Sequence, residues 1–381
     1  MIECTFEETF TYEALYRAHM RGRLSKRDKT PVVRFEMNML GNVYTLYRRL
    51  NSGKFKFGRY HSFTVGEPQK REIQTMYYSD RVVQHVLCDD VLMPYFTRRS
   101  IIDNCVGQKG KGTRFALERF ETKLRKHIAK HGPNGYFLKC DILKYFPSIP
   151  HERLKSMICP HVRDEQIKQM IVDIIDGFHT RPEFLEKYGI TSLGEGDKTE
   201  RGIPVGNQTS QVFGMFYLDK LDRFIKEKLR VKIYSRYMDD FIMVHEDKAE
   251  LQKILKEIRN FCGELGLALN SKTQIFPLKN GVTYLGFRYF VTAEGKLVKN
   301  VKKATKRRLR SRAKLLKKAY IEGIIGGERV EASLTAFHGH LAQGNCRRFE
   351  KELNDKLAFA TNGAAIRKTR RKNTCATSRN S

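Results

Sequence analysis

Two periodicities divide the chain. Val231, Ile233, Ser235 and Tyr237 alternate with Lys232, Tyr234 and Arg236, the two-residue repeat of a strand, and a second short apolar run follows at 241–244. Residues 232–245 therefore read as a hairpin with Asp239 and Asp240 at its turn. Residues 136–141 (YFLKCD) read as an apolar strand ending in a carboxylate, and 270–276 and 282–290 as further strands. Elsewhere the spacing changes to three and four. Phe35, Met39, Val43, Leu46, Tyr47 and Leu50 make one helical stripe, residues 80–95 a second behind Asp80 as its cap, and residues 210–229 a third. The clearest helix is 247–265: Leu251, Ile254, Leu255, Ile258, Phe261, Cys262 and Leu265 share a stripe, Asp247 and Glu250 are spaced as a capping box, and Gly266 ends it. Another helix is expected from Pro150. Gly- and Pro-containing polar stretches at 53–58, 108–113, 177–200 and 201–211 read as loops.

Candidate chemistry lies in the carboxylates. Adjacent aspartates repel and are costly to desolvate, so a turn tolerates them when they are solvated or neutralised by a divalent cation. Alone, Asp239-Asp240 is equally a solvated hairpin turn. Asp141, at the end of another strand, adds a third carboxylate. Two Mg²⁺ ions about 4 Å apart activate a 3′-hydroxyl and stabilise a leaving pyrophosphate, and Asp141 and Asp239 are the natural pair to bridge them. Two Mg²⁺ ions, with Mn²⁺ as a substitute, are the expected cofactor.

Charge points to the partner. The 381 residues hold 72 Lys+Arg against 42 Asp+Glu, a formal net charge of +30. Such an excess suits a polyanion, nucleic acid first and an anionic membrane surface second. Length and 40% hydrophobic content suit two or three subdomains around a real core. No apolar run approaches a bilayer span, and the acidic opening MIECTFEETF does not read as a signal peptide, so no membrane partner is expected. Eight scattered cysteines without a CxxC read as free thiols of a reducing, cytoplasmic compartment. Residues 299–318 carry eleven Lys/Arg and no acid, while Val301, Leu309, Ala313, Leu316 and Tyr320 preserve one packed face: a basic helix suited to tracking phosphates. The loop QKGKGT at 108–113 offers amides and lysines to phosphate without the GxxxxGK[ST] spacing. Residues 362–381 are expected to form a disordered basic tail.

Taken in order, these motifs resemble reverse transcriptases over residues 30–345. Tyr237-Met238-Asp239-Asp240 is similar to their catalytic hairpin. Residues 141–146 are similar to their first catalytic strand, in which an aromatic residue five positions after the Asp blocks a ribose 2′-hydroxyl; Phe146 is the implied steric gate. The resemblance implies Asp141, Asp239 and Asp240 as catalytic residues, and Asp141, Ile142, Asp239 and Asp240 as the metal site. Lys70 and Arg71 match the residues that hold the incoming triphosphate, with Phe146, Val205, Gly206 and Lys272 completing the nucleotide site. Residues 270–272 resemble the fourth palm motif, and Tyr284-Leu285-Gly286-Phe287 the primer grip. Template–primer contacts are implied for Gln208, Tyr284, Leu285, Gly286, Lys306, Arg310 and Lys314.

The implied fold is α+β, a right-hand polymerase: an N-terminal extension and fingers (1–135), an antiparallel-sheet palm backed by helices (136–298) and a helical thumb (299–361). The implied partners are an RNA template, a DNA or RNA primer and dNTPs. The stretch IPVGNQTSQ at 203–211 resembles enzymes of diversity-generating retroelements and related short bacterial reverse transcriptases. Group II intron and retroviral enzymes usually carry Gln where this chain has Val205, and many have Ser-Pro near Ser210-Gln211. The reading is an RNA-directed DNA polymerase of a bacterial or phage diversity-generating retroelement, with antiphage defence as the alternative. A structured noncoding RNA or a small basic accessory protein is a further expected partner. No endonuclease segment, RNase H domain or retron C-terminal signature is evident. An RNA-dependent RNA polymerase would share the aspartates but needs a polar residue in place of Phe146. A non-catalytic nucleic-acid-binding protein on this scaffold would not need all three carboxylates.

Overall fold

The computed structural model describes residues 1–66, 71–190 and 200–358. Lys70, the side chain of Arg71 and the tail at 362–381 lie outside the described residues. The chain forms two compact units: Met1–Phe120 with Leu138–Ile275, and Glu121–Phe137 with the chain from Phe276 onward.

In the first unit, β1 (His61–Val65) and β2 (Arg71–Thr75) form an antiparallel pair, with His61 opposite Thr75 and Val65 opposite Arg71. The larger sheet contains β3 (Tyr136–Asp141), β4 (Ile233–Tyr237), β5 (Asp240–His245) and β6 (Gln274–Pro277) in the order β4-β5-β3-β6. The alternation in β4 suggests one wet face, yet Tyr234 and Arg236 are as buried as Ile233 and Ser235. Both faces are covered, as befits the middle of a layered unit. The helix Gln208–Tyr217 is buried along most of its length, and Phe224 stacks on Phe261 of the helix Lys248–Glu264 at 4.3 Å.

Several elements depart from the sequence reading for local reasons. The stripe over 35–50 is two helices, Thr30–Glu36 and Met39–Asn51, separated at an exposed Met37 and an Asn38 with φ −138°. Asp80 is not a cap: the helix begins at Tyr78, and the buried Asp80 carboxylate accepts from Gly58 N–H at 2.9 Å. After Tyr78–Val86 the chain widens into a π-helix at Leu87–Leu92 before Met93–Arg99. Pro94 lacks the N–H a regular turn would donate, and a wider turn absorbs the mismatch. The helix expected at 210–229 starts at Gln208, breaks at Leu218 and ends in a second π-helix, Phe224–Lys228. Asp247 caps its helix through Ala249 N–H, one residue before Glu250, and its own N–H donates to His245 Nδ1, so a simple N-cap forms in place of the capping box.

In the second unit, β7 (Val282–Tyr284), β8 (Phe287–Val291) and β9 (Leu297–Val301) form an antiparallel meander, joined to the helices Lys303–Ile321, Gly327–Leu341 and Arg347–Leu357. The single strand expected over 282–290 folds back at Leu285 (φ 44°) and Gly286 (φ 90°), two left-handed residues in succession that make a tight hairpin turn. Among the described residues, no helix is long and apolar enough to cross a membrane, and the seven cysteines are free thiols.

Candidate active site

The three sequence-singled carboxylates lie on neighbouring segments of one sheet. β5 lies next to β3, so the turn carrying Asp239 and Asp240 neighbours the strand that ends in Asp141. Tyr237 pairs with Asp240, which leaves Met238 and Asp239 as the two-residue turn; Met238 is left-handed, φ 58°. Residues two apart on a strand share a face, so Lys139 and Asp141 project together. Lys139 Nζ meets Asp240 Oδ2 at 3.2 Å on that face. The Asp141 carboxylate accepts from Asn270 Nδ2 at 3.2 Å, and its main-chain carbonyl accepts from Asn270 N–H at 2.7 Å. Lys272, exposed in the same turn, adds positive charge. Ile142 is buried and bridges Leu269.

Burial pushes the Asp141 carboxyl above the usual carboxylate range, against the pull of Lys139, Lys272 and the Asn270 hydrogen bond. Asp141, Asp239 and Asp240 offer hard carboxylate oxygens, the ligand type that a divalent cation such as Mg²⁺ takes.

The turn itself rests on a buried ion pair. Arg236 and Asp222 are both fully buried; Arg236 Nε donates to Asp222 Oδ1 at 2.6 Å and Nη2 to Oδ2 at 2.5 Å. Tyr234 Oη also donates to Asp222 Oδ1, at 2.6 Å. The remaining arm, Nη1, donates to the carbonyl of Met238 at 3.1 Å. Nothing in the alternation of β4 marks Arg236, which occupies an apparently solvent-side position.

Phe146 follows β3 in the short helix Tyr145–Ser148, half-buried. Its ring lies against the helix Gln208–Tyr217 where a Cβ on Gly214 would meet Phe146 Cε1 at 3.2 Å. Tyr145 is fully buried and its hydroxyl donates to the Gly214 carbonyl, so Phe146 is the more accessible ring of the two.

The loop ahead of Gln208 is sewn to β2. Gln74 N–H donates to the Val205 carbonyl at 2.9 Å, and Gln74 Oε1 accepts from Val205 N–H at 3.3 Å. Gly206 has φ +134°, and a Cβ there would meet Ile73 Cγ2 at 2.5 Å and Gln74 O at 3.0 Å, so only glycine fits. Val205 and Gly206 thus abut the strand that Arg71 opens. Gln208 Nε2 donates to Asp89 Oδ1.

Residues 68–289, more than half of the chain, match the family described as reverse transcriptase (RNA-dependent DNA polymerase). The chain belongs to the reverse transcriptase family. Its α+β fold is accordingly that of a right-hand polymerase. Among curated proteins, the COX1/OXI3 intron 2 protein of Saccharomyces cerevisiae is 25% identical over 218 residues, covering 42% of this chain and 24% of that protein. The chain thus spans about a quarter of the length of that relative. Among solved structures, apo telomerase from Candida tropicalis truncated from its C-terminal domain is 13% identical, covering 69% of this chain and 60% of that one, with a TM-score of 0.43. Telomerase from the same organism with a fragment of telomeric RNA is 16% identical, covering 68% and 49%, with a TM-score of 0.41. The family assignment rests on the sequence match.

The reverse transcriptase's remaining candidate residues lie in the second unit. Tyr284 is buried, and Leu285 and Gly286 form the β7–β8 turn. Lys299 is not on the basic helix: it sits in β9, nearly buried, with Nζ on Glu121 Oε1 at 2.5 Å, while Tyr289 donates to the same oxygen at 3.0 Å. Arg310 is exposed but already engaged, making a two-pronged pair with Glu352 at 2.8 and 2.7 Å and lying over the Phe349 ring. Lys306 also lies over Phe349, at 5.5 Å, whereas Lys314 is exposed. Sequence reading did not single out Lys139, Gln74, Asp222 or Arg236. Of these, only Lys139 has a readable signal, the i−2 spacing from Asp141.

Proposed function

We propose that the chain is an RNA-directed DNA polymerase that extends a primer on an RNA template from dNTPs. The observation that carries this reading is the meeting of the Asp141 end of β3 with the Asp239-Asp240 turn, where Lys139 joins the two strands. Divalent ions bound by these carboxylates would supply Lewis acidity toward the primer 3′-hydroxyl and the leaving pyrophosphate. Asn270 orients Asp141, Arg236 holds the turn at Met238, and Lys139 balances Asp240. Phe146 takes the space of a ribose 2′-hydroxyl, which favours deoxyribonucleotides over ribonucleotides. Lys272, Val205, Gly206 and the β1–β2 hairpin contribute the nucleotide site. Primer extension on an RNA template with Mg²⁺ or Mn²⁺ tests the assignment. Wild type should extend, and Asp239→Asn should lose orders of magnitude while binding template–primer normally. Extension by that variant at the wild-type rate would remove Asp239 from the mechanism.

The finer reading, copying with relaxed fidelity in a bacterial or phage diversity-generating retroelement, is supported by Val205. Its main chain is held by Gln74, and its side chain has no hydrogen-bonding group to offer a nucleotide. A gene for a variable protein next to a template repeat beside this gene would bear that reading out; neighbouring defence genes would favour the antiphage alternative.

A further inference from the structure

Away from the aspartate turn, His151, Asp176 and Glu200 direct ligand atoms at one point. His151 opens the helix His151–Ile158, Asp176 ends the helix Glu165–Asp176, and Glu200 lies on the segment that leads to Val205. Their ligand atoms all lie within 4.8 Å of one another. His151 is only 1% exposed. Its Nε2 lies 2.7 Å from the Gly202 carbonyl, which can only accept, so Nε2 carries the proton. In the neutral ring Nδ1 is then a bare lone pair, buried and, among the described residues, without a hydrogen-bond partner. It faces Asp176 Oδ1 at 3.4 Å and Glu200 Oε2 at 3.8 Å. A lone pair aimed at two carboxylates is repulsive unless something positive lies between them.

We propose that this is a metal site for one borderline-soft divalent ion of the Zn²⁺ type. Two ligands on a tetrahedral ion with bonds of about 2.0–2.2 Å stand about 3.4 Å apart, close to the spacing found. An imidazole nitrogen with its other N–H held by a carbonyl is the usual way a metal-binding histidine is oriented, and nitrogen distinguishes the site from one built for Mg²⁺. Lys155 bonds Asp176 at 3.0 and 3.1 Å and Glu152 at 2.6 Å. Lys155 keeps Asp176 Oδ2 when Oδ1 turns to the ion. The Asp176 and Glu200 side chains are 38% and 62% exposed, so water reaches the fourth position and the ion enters without opening the core. Bound there, it ties the ends of two helices to the segment that places Val205 and Gly206. The site stands apart from the polymerase reading and does not depend on it.

The test is Zn²⁺ titration of the metal-stripped full chain by calorimetry, with millimolar Mg²⁺ present, alongside melting temperature. One ion per chain should bind and raise the melting temperature. Asp176→Asn and Glu200→Gln, at exposed positions, should each weaken binding about tenfold or more, and Asp141→Asn should not. Co²⁺ in place of Zn²⁺ should give visible absorption bands that change in His151→Gln. No zinc heat and no melting shift would mean that His151 is a protonated ion-pair partner instead, overturning the site. Binding that survives Glu200→Gln but disappears with Asp141→Asn would assign the ion to the aspartate turn and overturn it equally.

Discussion

Arg236 and Asp222 form a fully buried two-pronged ion pair whose third arm holds the Met238 carbonyl, one residue before Asp239. Removing one partner strands the other's charge in the core. Asp222→Asn should therefore cost about 3–5 kcal/mol, whereas Arg236→Met with Asp222→Leu should recover much of that loss. Arg236→Lys keeps the charge but not the fork, and should lower extension more than it lowers template binding. Denaturant unfolding and single-turnover extension read the two effects. Additive losses in the double variant would mean that the pair is not a unit.

Asp141 should make the protein's stability depend on metal. Its folded-state pKa is raised, chiefly by burial. Such a group contributes stability that is fully present below its unfolded pKa and is lost as pH rises through the folded pKa, so the ionised form costs stability at neutral pH. Asp141→Asn should raise the melting temperature measured without metal. It should also remove the rise that Mg²⁺ gives wild type. Equal melting in chelator for both proteins would contradict this.

Phe146→Ala should raise ribonucleotide use relative to deoxyribonucleotide use by about tenfold or more, since one steric contact worth about 1.4 kcal/mol is a factor of ten. The measurement is competitive incorporation on one RNA template. An unchanged ratio would shift attention to the surrounding pocket rather than to Tyr145, whose hydroxyl is tied to Gly214.

In the proposed nucleotide site, Val205→Gln would supply a hydrogen-bonding side chain. One such bond, about 1 kcal/mol, should lower misincorporation several-fold. Sequencing products made by both proteins on one template, with attention to template adenines, reads this directly. Identical error spectra from two active proteins would dissociate Val205 from fidelity.

On the basic helix, Lys314→Gln should reduce the log–log salt slope of template–primer binding by about one. Arg310→Gln should leave the slope almost unchanged and instead loosen the pair with Glu352, whose carboxyl is held down to about 2 by Arg310 and Lys356. A larger slope change for Arg310 than for Lys314 would reverse this division of labour.

The site's strands were legible because their patterns are local. The run 136–141 ends in its aspartate as expected, and the hairpin's two apolar arms flank the turn found. What was not legible depends on distant partners. Arg236 occupies a polar slot in a two-residue repeat and is buried only because Asp222, fourteen positions earlier, comes to meet it. Gln74 carries no mark of its hold on Val205. The π-turns at 87–92 and 224–228 leave the apolar stripe intact and change only the hydrogen-bond register. At Leu285-Gly286, left-handed backbone cuts a run that composition presents as continuous.

The clasp between Gln74 and residue 205 uses only main-chain atoms at 205, and at 74 the main-chain N–H together with the side-chain amide oxygen. It therefore distributes mutational freedom unequally. Any residue with an N–H can occupy 205 without releasing the loop, so a single codon there is open to drift and to selection on copying behaviour. Position 74 has less latitude, because any residue but proline keeps the main-chain bond while only a side-chain acceptor keeps the second. The side chain at 205 can therefore change while the main-chain hold on the loop stays as it is.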